Sequence, residues 1–158
     1  DLGVQGLIIH PRLQTGGFTA PLDYETTAAV KKAVQMPVIF SGNINSYARM
    51  VKVHEKTGVD GFMIGRALWG APWKMHEIME EAAGRRFTLS IQDMVRLARR
   101  HLDLNIELYG LHGVNPFKKQ LPQYIKGVEG ASQIRSFLVR LQTAQEMAAA
   151  LDNLIVSC

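Results

Sequence analysis

The chain has 158 residues, 47% of them hydrophobic, with 18 Lys plus Arg against 14 Asp plus Glu and a formal charge of +4. That much apolar side chain can bury a core, which excludes a disordered tail; no run nears the roughly 20 apolar residues of a membrane span, and Asp1-Leu2-Gly3 lacks a basic signal flank, so a cytoplasmic protein is expected. The single cysteine, Cys158, excludes an internal disulfide framework and a cysteine-based zinc site.

The first apolar run, Gly6-Leu7-Ile8-Ile9, comes almost at once with nothing before it to pair with, as though the chain began inside a larger fold. Two more four-residue runs follow, Pro37-Val38-Ile39-Phe40 and Gly61-Phe62-Met63-Ile64. Continuous short runs bounded by Gly, Pro or polar residues predict strands buried on both faces. The stretches 24–34 and 46–56 between them are amphipathic, so strand and helix alternate at βαβ spacing, and right-handed crossovers make the sheet parallel. Three strands do not close a barrel.

The pattern changes near Gly84-Arg85-Arg86. From Ser90, the residues Ile91, Met94, Val95, Ala98, Leu102 and Ile106 keep helical spacing, with a stop at Tyr109-Gly110. A second helix is predicted through Phe117, Leu121, Tyr124 and Ile125 to Gly127, with Pro122 kinking or breaking it. A third carries Ile134, Phe137, Leu138 and Leu141. The last opens on the capping box Thr143-x-x-Glu146 and buries Met147, Ala150, Leu151 and Leu154. Residues 1–84 carry eight basic and eight acidic groups, residues 85–158 ten and six, so the whole net charge lies in the helical half. That excess fits either a solvated helical face or an anionic partner.

Two glycine motifs follow the second and third strands: Ser41-Gly42-Asn43-Ile44 and Gly65-Arg66-Ala67. Ligands of parallel α/β folds sit at the carboxyl ends of strands. Glycine lets backbone N–H groups approach a phosphate, and Arg66 can fork onto two of its oxygens, although either glycine alone could simply mark a turn. His10-Pro11-Arg12 ends the first strand in the equivalent place. His10 there is either a polar strand end in solvent or a contact to a flavin or substrate, and Arg12 could meet an anion at the mouth of the site. His54, His76, His101 and His112 show no metal-ligand spacing, so no metal is expected. No nucleophile or proton donor stands out.

Together, His10-Pro11-Arg12, the run from Pro37 to Ile44, Thr57-Gly58-Val59-Asp60-Gly61-Phe62-Met63-Ile64-Gly65-Arg66-Ala67 and Pro72-Trp73 resemble the final barrel segments of the tRNA-dihydrouridine synthases. His101, Tyr109-Gly110, Lys118-Lys119, Tyr124, Lys126-Gly127, Gly130-Ala131 and Arg135 continue the likeness into that family's helical domain. The resemblance implies an α/β fold in which residues 1–84 form about the last three βα units of an FMN-binding (β/α)8 TIM barrel. Residues 85–158 would then form an all-α helical bundle that binds tRNA. It also implies NADPH-driven reduction of uridine to 5,6-dihydrouridine by a monomeric enzyme. Ser41, Gly42, Asn43, Gly65 and Arg66 would hold the FMN phosphate and His10 would approach the flavin. Arg12, Lys118, Lys119, Lys126 and Arg135 would contact RNA. The family's catalytic cysteine, with its flavin-contacting lysine and glutamine, belongs to a segment preceding residue 1, so the chain alone is expected to be inactive. Pro11 stands where the family usually has Gly, and Gln120 where it tends to have a basic residue. Two other readings share these residues: an FMN barrel oxidoreductase acting on a small molecule, and a non-catalytic RNA-binding truncation product.

Overall fold

Three short parallel strands carry the first part of the chain: β1 (Leu7–Ile9), β2 (Val38–Ser41) and β3 (Gly61–Met63), in the order β1-β2-β3. They belong to a computed structural model that describes residues 3–126 and 129–157. The crossovers are α1 (Tyr24–Ala33) and α2 (Tyr47–Thr57), and α3 (Lys74–Ala82) follows β3. Each crossover helix begins where a side chain can take over orphan donors: Asp23 accepts from the Thr26 N–H at 2.9 Å, and Ser46 from the Arg49 N–H at 3.2 Å. Asp60 ties the layers together. Its carboxylate pairs with Lys31 of α1 and accepts from the Val38 N–H, both at 2.7 Å, and these contacts, Lys31 foremost, hold it below the usual carboxylate range.

Alternation along β2 decides what the sheet buries. Val38 and Phe40 sink into a core with Ile44, Val53 and Val59, covered by α1 and α2. Ile39 and Ser41 face the other way. The register sets Ile8 beside Ile39 and Met63 beside Ser41. On that second face Ile8 is 61% exposed and Met63 46%. Strands buried on both faces were expected; the described residues cover only one. The runs are apolar throughout because each carries side chains for two faces, and the described residues supply a lid for one.

By internal contacts the chain divides into two units: one takes in the chain through Leu68 together with Trp73–Phe87, the other Trp69–Pro72 together with the chain from Thr88. The second unit holds α4 (Ile91–Tyr109), α5 (Val114–Tyr124), α6 (Ala131–Leu138) and α7 (Ala144–Ser157). Ser90 caps α4 by accepting from the Asp93 N–H at 3.0 Å, and Gly110 closes it. Thr143 and Glu146 form the reciprocal capping box: the hydroxyl accepts from the Glu146 N–H at 3.2 Å, the carboxylate from the Thr143 N–H at 3.0 Å. Val95, Ala98, Leu102, Phe117, Leu121, Leu138, Met147 and Leu151 make the core.

Several expectations need correcting. Pro122 sits inside α5, which ends two residues later at Tyr124 rather than at Gly127, a residue outside those described. Leu141 lies beyond the end of α6, and Phe137 is 58% exposed instead of packed in the core. Helix α3 was not anticipated. Its carboxyl end is tied to α2, with the Glu81 carboxylate accepting from the Tyr47 N–H at 2.7 Å, and it buries only Ile78. Among the described residues no helix is long and apolar enough to cross a membrane.

Candidate functional site

The carboxyl ends of β2 and β3 bring the two glycine motifs together. β2 runs into Gly42, where a Cβ would stand 2.9 Å from Leu22 and 3.1 Å from Phe40, so only glycine fits without displacing the core. Asn43 follows in the left-handed region at φ 51°, a conformation that asparagine tolerates better than most residues. Its side-chain oxygen accepts from Arg66 Nη2 at 2.9 Å. Residues 23 positions apart are thereby linked across the strand ends. Beyond the place where a Cβ of Gly65 would stand there is open space, so the backbone at the end of β3 is approachable. Ser41 is half-buried on the uncovered face, and His10, exposed and two residues beyond Ile8, continues that face past β1. An exposed backbone, a fixed guanidinium and adjacent hydroxyl and amide groups suit an anionic group whose oxygens accept hydrogen bonds, such as a phosphate.

Arg12 is placed differently from His10. Its Nε donates to the Ala20 carbonyl at 2.9 Å, and its Nη1 is buried without a partner. The guanidinium therefore braces the 12–20 loop. Pro11 is buried and its carbonyl accepts from the Asp23 N–H at 2.8 Å. Sequence reasoning missed the group beside Leu22: Tyr24 stacks on Phe40, accepts a hydrogen bond from Arg49, and lies under Lys56, 5.1 Å from its ring centroid. A cavity of about 490 Å³ opens there between Leu22, Tyr24, Glu25 and Lys56. No local pattern joins residues drawn from two helices and a loop.

In the helical unit much of the basic excess is neutralised internally. Arg96 pairs with Asp93 at 2.8 Å, Arg99 with Asp103 and with Asp152 at 3.2 Å, and Arg100 with Glu107 at 3.4 Å. Arg135 donates to the Ile125 carbonyl at 2.9 Å and so closes the end of α5. Lys118 is half-buried and lends positive charge to Glu146, whose carboxyl is held low chiefly by the Thr143 and Gln142 backbone N–H groups. Lys119 and Lys126 are exposed and make no ion pair among the described residues. Beneath α5, His101 Nδ1 lies 3.1 Å from the Tyr124 hydroxyl, with Phe117 edge-on to the imidazole. Burial lowers the His101 pKa and pushes Tyr124 up to about 12. Burial thus favours the neutral form of both groups, which suits a packed polar contact.

Comparison with known proteins agrees with the motifs. The family model described as dihydrouridine synthase matches residues 1–157. The tRNA-dihydrouridine synthase B of Pseudomonas aeruginosa is 34% identical over 156 residues, covering 94% of this chain and 46% of that protein. A probable tRNA-dihydrouridine synthase of Helicobacter pylori is 33% identical, covering 97% and 46%, and the synthase B of Vibrio vulnificus 32%, covering 97% and 48%. The chain thus spans about half the length of the curated relatives it matches. With the strand-end glycine motifs and the family match running through both units, the chain belongs to the dihydrouridine synthase family.

Proposed function

We propose that the full-length protein reduces uridine in tRNA to 5,6-dihydrouridine, with FMN as its flavin and NADPH as the reductant, and that this chain contributes the FMN-phosphate cradle and the helices that grip tRNA. The observation that carries the reading is the Arg66–Asn43 hydrogen bond, which makes one anion-ready surface of the two strand-end glycine motifs. The names of the relatives supply the reaction.

FMN, when bound, would supply hydride chemistry to the uracil ring. Gly42, Asn43, Gly65 and Arg66 would take its phosphate, Asn43 by fixing the plane of the guanidinium and the glycines by leaving their backbone approachable. Ser41 and His10 would border the flavin along the uncovered face, which becomes the interior of a TIM barrel once the remaining strands are present. None of these residues is assigned as the proton donor, a role that the resemblance to the family gives to a cysteine. The target uridine must leave its stack at a cost of a few kcal/mol. Phosphate contacts from Lys119 and Lys126, with Lys118, Arg135 and Arg12 in support, offset part of that cost.

The test is incubation of flavin-loaded full-length protein with unmodified tRNA and NADPH, followed by nucleoside analysis. Dihydrouridine is the expected product. Flavin turnover on small enones with tRNA left unmodified would instead make the protein a small-molecule oxidoreductase.

A further inference from the structure

Trp69 is the largest exposed apolar side chain among the described residues, 65% exposed, in the short Trp69–Pro72 segment that belongs with the helical unit. Its neighbour pins it. Gly70, at φ 63°, lies so close to α5 that a Cβ would come within 2.2 Å of Gln123 Cβ and 3.0 Å of the Gln120 carbonyl oxygen. The backbone is thus seated on the helix while the indole stays in solvent. Lys119 lies one turn before Gln123 on α5, both are exposed, and Lys126 follows just past the end of the helix. α5 contains no acidic residue. What α5 sets against this segment is polar, Gln120 and Gln123 at Gly70, on a helix that also carries the exposed Lys119, rather than the apolar surface of a protein-docking patch. Together, segment and helix have instead the composition of a nucleotide platform, with a π-face for a base and cations for the phosphates on either side.

We propose that Trp69 is a base-stacking platform for an unpaired nucleotide of the substrate RNA, with Lys119 holding an adjoining phosphate. This rests on the reading of tRNA as the substrate. It assigns a positioning role to Trp69, which orients the RNA and touches no reacting atom.

Binding of labelled tRNA to the full-length protein, titrated at several salt concentrations, tests it. Trp69→Ala is expected to weaken binding about 5- to 150-fold, the range of base–aromatic stacking, with the salt slope unchanged, and Trp69→Phe to restore most of the affinity. Lys119→Gln is expected to reduce the slope by about 1. A stacked indole is quenched, so tRNA must quench parent fluorescence by an amount that Trp69→Phe removes. That readout stands even where Trp69→Ala folds poorly. Parent binding with Trp69→Ala unaffected, or a quench identical in parent and Trp69→Phe, overturns the platform alone; unchanged affinity with a lowered melting temperature also overturns it and assigns the indole to packing. A parent protein that binds no tRNA at any salt overturns the tRNA reading itself.

Discussion

The strand-bearing unit covers one face of its sheet and leaves Ile8 and Met63 on the other exposed, whereas the helical unit closes its own core around Leu102, Phe117 and Leu151. The difference separates two kinds of function. In the first unit the candidate chemistry, Ser41, Gly65 and His10, stands on the open side, so it depends on whatever completes the sheet. In the second the core is closed by its own helices, and Lys119 and Lys126 are exposed groups that can be altered without disturbing it.

The largest expected effect tests that sealed core. Phe117→Ala removes a fully buried ring and should destabilise the helical unit by about 3–5 kcal/mol in denaturant unfolding of the full-length protein. Ile8→Ser should by contrast cost little in residues 1–158 and much in the full-length protein, since only there would the second face be covered. A similar cost in both settings would break the distinction between the units.

A smaller effect follows from burial. Because the folded-state pKa of His101 is lowered from the ordinary 6.5, the unfolded chain binds its proton more readily. Stability of the helical unit should therefore be full above pH 6.5 and fall as the pH drops through the folded value, levelling off below it. His101→Gln should remove that pH dependence from an unfolding series between pH 8 and 5. A smaller cost, about 1 kcal/mol, is expected for Thr143→Ala, which opens the capping box of α7, and a melting curve would detect it. The finest distinction lies among the lysines. Lys126→Gln should reduce the salt slope of tRNA binding by about 1, and Lys118→Gln by less, because Lys118 already faces Glu146.

Much of this architecture is written locally. Ser90, Gly110 and the pair Thr143 and Glu146 mark helix ends because caps act within one turn, and the three apolar runs mark strands because a short continuous run bounded by Gly, Pro or polar residues can be read without its partner. What escaped local reading depends on distant segments. Phe137 has the spacing of a core residue, yet it lines an apolar groove of about 580 Å³ with Ile134, Leu141 and Leu154 rather than a closed core. The site divides the same way. Glycine after a strand is visible in the sequence, but the bond from Arg66 to Asn43 requires β2 and β3 to be neighbours. Nor does net charge reveal which cations are already paired: three arginines of α4 face acidic partners, while Lys119 and Lys126 do not.

The most direct measurement is a reciprocal one on the full-length protein: FMN affinity and tRNA affinity determined side by side for Arg66→Ala and for the Lys119→Gln, Lys126→Gln double variant. Arg66→Ala is expected to weaken FMN binding by about 1.5–3 kcal/mol, the worth of a charge-assisted hydrogen bond, with tRNA affinity retained, and the lysine variant to do the reverse. Flavin retained in full by Arg66→Ala, or both affinities lost together in both variants, would contradict it.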